Sequence, residues 1–322
     1  EQFWTPAAKM ADIVLPATTG LERDDIGYSR REPFLIAMKK AREPIGEARD
    51  DYWIFSEITR RLGADAVYTE GRDAMQWLAH MHEEGRQKSA KMGVELPSFE
   101  DFWEAGIAKV PGENTDPVML AKFRADPAAN PLKTPSGKIE IFSEKIASFG
   151  YDDCPGHAVW MEPIEWLGSR TAERYPLHML SDQPADKLHS QLDHSPHAKA
   201  TKVKGRQPVT MHPEDAAARG IADGDLLRVF NDRGACLASA RLSDRIRRGV
   251  VRLSTGAWFD PQDSGSNTPL EKHGNPNALT LDIGSSKLSQ GCIAQTCLVE
   301  IERFDGPAPP VTAHQLPAFS GR

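Results

Sequence analysis

Apolar positions fall in short blocks, and their spacing changes along the chain. Ile13, Val14 and Leu15 form a brief run closed by Pro16, the pattern of a buried strand. A small, polar stretch and the charged run Glu22, Arg23, Asp24 and Asp25 follow, as where an α/β strand end opens into a ligand-binding loop. Phe34 to Lys39 predicts a second strand. From Asp50 to Leu62, Trp53, Ile54, Ile58 and Leu62 recur at helical spacing, with Gly63 as a stop. Asp73 to His82 predicts a helix carrying Trp77, Leu78 and Met81, and Glu83 to Pro97 reads as polar and exposed. Ser98 to Ala108 predicts another helix, with Ser98 as cap and Phe99, Phe102 and Trp103 on one side. Pro111 to Pro135 reads as a connection between domains, partly helical around Met119 to Phe123. The alternation Lys138, Ile139, Glu140, Ile141, Phe142 predicts a strand after a Pro-Ser-Gly turn.

Beyond residue 175 the pattern becomes mostly β. Strands are expected at Leu177–Leu180, Pro208–Met211, Leu226–Asn231, Ala235–Leu242, Gly249–Leu253 and Gln295–Glu302, with a short helix over His212–Arg219. Many short strands between tight turns predict a compact barrel. The expected fold is an α/β fragment followed by a mainly β domain. Its boundaries are residues 1–170, the end of an α/β domain plus a connecting segment; 171–305, the barrel; and 306–322, a tail wrapping onto the body.

Composition narrows the function classes. The chain has 322 residues, enough for two cores, and 25 glycines, 24 prolines and 26% charged residues suit a loop-rich folded protein. A net charge of -7 argues against non-specific nucleic-acid binding. Cys154, Cys236, Cys292 and Cys297 lack zinc spacing and read as free thiols, leaning towards a cytoplasmic location with the periplasm as the alternative. No apolar run reaches the roughly 20 residues of a membrane span, so no transmembrane segment is expected. The opening residues read as a fold already under way, which suggests a fragment or one half of a divided chain.

The chemistry gathers in Pro176–Pro196, a strand that breaks into a loop bearing Ser181, Asp182, Gln183, Lys187, His189, Ser190, Gln191, Asp193 and His194. Such a loop presents donors to a large polar ligand, or is an ordinary wet surface. His189, His194 and His197 lack metal-site spacing, and His80 and His82 share no helix face. Nucleophile-elbow, dinucleotide-fingerprint and Walker motifs are absent.

Four segments in order, Lys9–Gly27, Leu188–Leu192 (LHSQL), Val209–Gly234 and His273–Thr296, resemble the molybdenum enzymes of the dimethyl sulfoxide reductase family. The resemblance is nearest to the biotin or methionine sulfoxide reductases and their trimethylamine N-oxide relatives. It implies a C-terminal double-psi β-barrel that closes over a molybdenum bis(molybdopterin guanine dinucleotide). By this resemblance Ser181, Gln183, Leu188, His189, Ser190 and Gln191 match a loop touching the pterin and pyrophosphate. Asn277, Gln290, Ala294 and Gln295 match the last cofactor-contacting stretch, with Ala294 where the family often has glycine. Asp12 and Thr18–Asp25 match the region after a cofactor-binding strand.

The residue types suit this role. Neutral Asn, Gln, Ser and His hydrogen-bond a heteroatom-rich ligand, Lys187 offers charge to the pyrophosphate, and Gly284 and Gly291 allow close backbone approach. The implied reaction is two-electron reduction of a sulfoxide, biotin or methionine sulfoxide, to the thioether. The alternatives are a trimethylamine N-oxide or dimethyl sulfoxide reductase and a nonenzymatic partner-binding barrel. No residue matches the family's serine ligand to molybdenum, so no catalytic residue or metal ligand is assigned. The implied partners are the missing N-terminal part and a small S- or N-oxide, with the electron donor open. The isolated chain is expected to be inactive.

Overall fold

The computed structural model describes residues 1–29, 32–110, 118–263, 265, 268–293 and 295–317. The chain divides into two units, Glu1–Asp126 and Pro127–Arg322.

The first unit is α/β. Strands β1 (Asp25–Tyr28), β2 (Phe34–Met38) and β3 (Ile107–Lys109) form an antiparallel sheet in that order. Helices α1 (Pro6–Met10), α2 (Asp51–Arg61), α3 (Asp65–Thr69), α4 (Ala74–Ala90), α5 (Phe99–Ala105) and α6 (Ala121–Ala125) make up the rest of its regular structure among the described residues. Asp50 caps α2 by accepting from the Trp53 N–H, and Ser98 caps α5 by accepting from the Asp101 N–H. Its core is Ala37, Phe102 and Ala108, joined by Ile26, Leu35, Phe99 and Trp103. The buried His82 ring stacks on Phe102 with centroids 4.9 Å apart.

Four expectations need correction here. Ile13–Leu15 is not a strand: Ile13 is 80% exposed, and the only nearby bridge joins Ala17 to Arg49. Without a ladder partner, an apolar run has nothing to hold it as a strand. The helix from Asp73 continues through the polar stretch to Ala90. A capping box between Asp73 and Gln76 starts it, and Glu83–Arg86 and Glu84–Lys88 pairs support the part without an apolar face. The helix after Ser98 ends at Gly106, and Ile107–Lys109 turns into β3. Lys138–Phe142 is not a strand either, and Ile141 is 88% exposed. Part of the Pro111–Pro135 connection, residues 111–117, lies outside the described residues.

The second unit holds α7 (Glu144–Ala147), α8 (Pro196–Thr201), α9 (Pro213–Ala217) and a closed mixed β-barrel. Its strands are β4 (Leu177–Leu180), β5 (Pro208–Met211), β6 (Leu226–Asn231), β7 (Gly234–Leu242), β8 (Val250–Leu253) and β10 (Cys297–Arg303), with β9 (Leu270–Glu271) added beside β7. The order β5-β8-β4-β10-β6-β7 returns to β5, which closes a six-stranded ring. Pairs β4–β8 and β5–β7 are parallel and the remaining ring pairs antiparallel. Closure leaves no unpaired strand edge around the ring. Inward residues Leu177, Met179, Val209, Met211, Leu227, Val229, Val251, Leu253, Val299 and Ile301 fill it. Alternate residues of β7, including Leu237 and Ser239, are covered on the other side as well, so the strand is buried on both faces. No described helix is long and apolar enough to cross a membrane.

A buried carboxylate, Glu165, helps tie the segment before the barrel to it. Glu165 pairs with Arg233 in the β6–β7 turn and accepts the Leu298 N–H at 2.7 Å. Arg233 also donates to the Leu279 carbonyl at 2.6 Å. Truncating one partner of a buried pair strands the other, so Glu165→Ala should destabilise the barrel by about 3 kcal/mol. A urea unfolding curve of the barrel signal checks this, and an unchanged midpoint overturns it.

Candidate functional site

The site begins where β4 ends. Ser181 N–H donates to Gln295 Oε1 at 3.1 Å, and Gln295 Nε2 donates back to the Ser181 carbonyl at 2.6 Å. His178 Nε2 reaches the Gln295 carbonyl at 2.8 Å. Two expected site residues 114 positions apart are thereby joined. Gln183 Nε2 then donates to the Lys187 carbonyl at 2.8 Å.

Residues 188–192 form a tight, outward-facing loop. Leu188, His189, Ser190, Gln191 and Leu192 are all exposed. The Gln191 N–H closes the turn on the Leu188 carbonyl at 2.9 Å. His189 and Leu192 take left-handed backbone angles, φ 51° and 63°. Each such non-glycine residue costs on the order of 1–3 kcal/mol and persists only where its surroundings impose it.

Those surroundings are specific. Gly256, at φ 96°, lies under the loop, and a Cβ there would sit 1.8 Å from the His189 carbonyl oxygen. Trp258 Nε1 donates to the Ser190 carbonyl at 2.7 Å, and its backbone N–H donates to Asp193 Oδ2 at 3.2 Å. The Asp193 carboxylate is fully buried and accepts from Lys202 Nζ at 2.8 Å and His314 Nε2 at 2.9 Å. Lys187 Nζ lies 3.3 Å from the same carboxylate. Lys187 and Asp193 flank the five-residue loop, so their pairing closes its base. Burial alone pushes the Asp193 carboxyl up; the bond from His314 and the charge of Lys202 reverse this and hold it well below the usual range.

Lys187, expected to offer its charge to the pyrophosphate, faces inward in this structure. Its ammonium is fully covered and turned inward onto Asp193, Asp186 and Gln207, the oxygens a buried cation needs.

Asp193, His273 and His314 bring ligand atoms within 4.8 Å of one another, close enough to suggest a metal. Part of this set is already paired: His314 Nε2 donates to Asp193 Oδ2 at 2.9 Å, while His273 Nε2 is buried without a hydrogen-bond partner. His273 Nδ1 donates to the Trp258 carbonyl at 2.8 Å, so that nitrogen carries a proton. Two lysine ammoniums beside Asp193 oppose a further cation. The cluster is a hydrogen-bonded anchor. The string His189, His194, His197 forms no cluster: His189 and His197 are exposed, while the His194 ring lies 5.1 Å from Trp258.

The remaining expected residues lie further along the unit. Gln290 and Gln295 line one cavity of about 660 Å³ with Gly284, Ser285, Ser286 and Thr296. A Cβ on Gly284 would meet Gln290 Oε1 at 2.7 Å, whereas Gly291 has room for one. Asn277 is exposed in a short 3-10 turn, held by Asn275, and does not line this cavity. Ala294 lies outside the described residues. In the first unit, Glu22 accepts from the Thr19 and Ile45 N–H groups, and Asp12 is exposed.

Sequence reasoning missed Lys202, Trp258, His273 and His314. Ser195-Pro196 is a helix-start signal, and the short α8 it opens delivers Lys202 to Asp193. His273 opens the fourth family-like segment, but nothing there marks its place beside Asp193, and His314 has no local signal at all.

The pH response of His273 follows from its setting. Burial, then the charge of Lys202, lowers it from 6.5 to about 4, so it is neutral when folded. The unfolded chain takes the proton first. This contribution is full above the unfolded value and is lost as pH falls from 6.5 to about 4. It amounts to about 3 kcal/mol. His273→Gln should flatten that part of the stability–pH curve in urea titrations. Parallel curves for the two proteins would overturn the assignment.

Comparison with known proteins fits this geometry. Residues 177–298 match the family "Molydopterin dinucleotide binding domain", and residues 1–61 match "Molybdopterin oxidoreductase". A dimethyl sulfoxide/trimethylamine N-oxide reductase of Cereibacter sphaeroides is 48% identical over 98% of this chain and 38% of its own length. A biotin sulfoxide reductase of the same organism is 48% identical over 96% of this chain and 41% of its own length. The chain thus spans about two fifths of the relatives it matches. The solved structure of acetylene hydratase from Pelobacter acetylenicus covers 94% of this chain and 39% of its own at TM-score 0.68 and 21% identity, a likeness of fold. The chain is a molybdopterin oxidoreductase domain of the dimethyl sulfoxide reductase family.

Proposed function

We propose that this chain is the C-terminal, cofactor-holding part of an enzyme that reduces small S- or N-oxides with a molybdenum bis(molybdopterin guanine dinucleotide). The carrying observation is the strained loop Leu188–Leu192, whose exposed donors stand on a buried anchor. Backbone strain backed by so many fixed contacts is characteristic of ligand clamps.

The donor set fits the cofactor. Ser190, Gln191 and His189 are exposed and neutral or switchable, and Gln290, Gln295 and Ser285 line a cavity beyond β4. In this reading Ser181, Gln183, Leu188, His189, Ser190, Gln191, Asn277, Gln290, Ala294 and Gln295 contact or frame the dinucleotide, and Lys187 holds the loop from within. The parallel pairs β4–β8 and β5–β7 support reading the ring as a double-psi barrel. Residues 171–305 are then the dinucleotide-binding domain, and residues 1–170 the end of the preceding α/β domain with its connection. When bound, the cofactor supplies two-electron oxygen-atom transfer. The protein's share is binding, orientation and exclusion of water. The rest of the enzyme supplies the metal ligand and the other cofactor contacts.

Of eight similar relatives, seven carry trimethylamine N-oxide or dimethyl sulfoxide in their names and one carries biotin sulfoxide. We therefore place these oxides ahead of biotin or methionine sulfoxide as substrates.

The full-length protein carrying this chain should hold guanine nucleotide and molybdenum in a ratio of about two to one and reduce trimethylamine N-oxide and dimethyl sulfoxide with a chemical electron donor. Purification from molybdate-supplemented cells without either component, or failure to reduce any of the four oxides, overturns the reading. Gly256→Ala should displace the His189 carbonyl and lower nucleotide retention by about tenfold or more while the barrel still folds. Nucleotide release after acid hydrolysis, measured beside circular dichroism, checks it.

A further inference from the structure

We infer that His314 is a positioning residue: it latches the Leu188–Leu192 loop in its outward-facing form from a segment more than a hundred residues away. Residues 306–317 return across the barrel unit in fixed steps. Arg206 donates to the Pro309 carbonyl at 2.6 Å. Both the Thr312 N–H and its hydroxyl donate to Asp260, each at 2.6 Å, and Ala313 is buried. This delivers the His314 ring to the two groups that hold the loop. Its Nε2 donates to Asp193 Oδ2, and its ring meets Trp258 edge-on with centroids 5.3 Å apart. Trp258 in turn holds the Ser190 carbonyl.

The arrangement separates loop geometry from barrel stability. Lys187 and Lys202 both address Asp193 Oδ1, while His314 and the Trp258 N–H address Oδ2. Without His314 the carboxylate stays paired and the barrel core is untouched. Oδ2 keeps only the longer bond from Trp258, and the Trp258 ring loses its edge contact. The carboxylate is then free to swing towards the lysines, and Trp258 is free to shift under the Ser190 carbonyl. The left-handed His189 and Leu192 then rest on the Gln191–Leu188 turn bond, the Ser195 N–H on the Leu192 carbonyl and Gly256 beneath them.

The latch stands on contacts within the chain; its importance for cofactor retention rests on the proposed function. Hydrogen-exchange mass spectrometry of the full-length protein tests the latch directly, with His314→Ala and His314→Gln compared against the unaltered protein. In His314→Ala, amides of the 188–193 loop should exchange about tenfold faster while β6 and β10 keep their protection. His314→Gln restores an N–H donor and should recover most of the slow exchange. Unchanged loop exchange in His314→Ala overturns the latch. So does acceleration spread evenly over the barrel, because His314 would then be merely structural. Guanine nucleotide retained after gel filtration is the second readout. It should fall in His314→Ala and return in His314→Gln. A loosened loop with full retention leaves the latch standing and overturns the loop's assigned part in holding cofactor.

Discussion

A single buried charge organises the second unit. Asp193 sits with no exposed surface, and a carboxylate in that position must be neutralised or lost. Two lysines, a histidine and a backbone N–H meet it from four different segments. Burial lowers Lys202 from its ordinary value even though Asp193 favours its charge, so the cluster is held together against a real desolvation cost. Because each partner is brought by a different segment, the network assembles only when the loop, α8, the strand-end segment at Trp258 and the chain's last described residues are all in place. The loop between Lys187 and Asp193 is then left one conformation, and it is a strained one.

The barrel explains why this works on so short a loop. Closing the ring fixes the end of β4 and the residues after β8 relative to each other, since β4 and β8 are parallel neighbours. Ser254 donates to Asp182 at 2.7 Å and the Thr255 N–H to the Asp182 carbonyl at 2.9 Å, which continues the register past both strand ends. Gly256 therefore arrives under His189 as a consequence of strand pairing, and only glycine leaves the carbonyl room. The reciprocal amide bonds between Ser181 and Gln295 do the same for β10, carrying the 284–296 segment towards the same strand end.

This also explains what was legible in the sequence. Strands β4, β5, β6, β7, β8 and β10 were readable because each contributes buried apolar residues to one barrel and is bounded by turns. The loop was readable as chemistry because donors crowd into few residues. Ile13–Leu15 and Lys138–Phe142 have the composition of strands, but strand formation depends on a neighbour, which composition cannot supply. The polar half of α4 failed the opposite way, being held by capping and charge pairs without apolar periodicity. Lys187 was identified as a loop residue; the direction of its ammonium is set by Asp193, Gln207 and Asp186 together. The parts His273 and His314 play around Asp193 were invisible because only long-range pairing brings them there.

An apolar replacement of the Asp193 network would fill the same volume without the desolvation cost, and buried ion clusters seldom raise stability above such a core. Apolar packing, however, is tolerant of small shifts, and a loop held that way would relax out of the left-handed angles at His189 and Leu192. Charged hydrogen bonds are directional: each fixes a distance and an approach to one carboxylate oxygen. The network is thus best understood as exchanging stability for shape. That exchange is worthwhile only where the exposed atoms it positions, the Leu188–Gln191 backbone and the His189, Ser190 and Gln191 side chains, must meet a ligand in one arrangement.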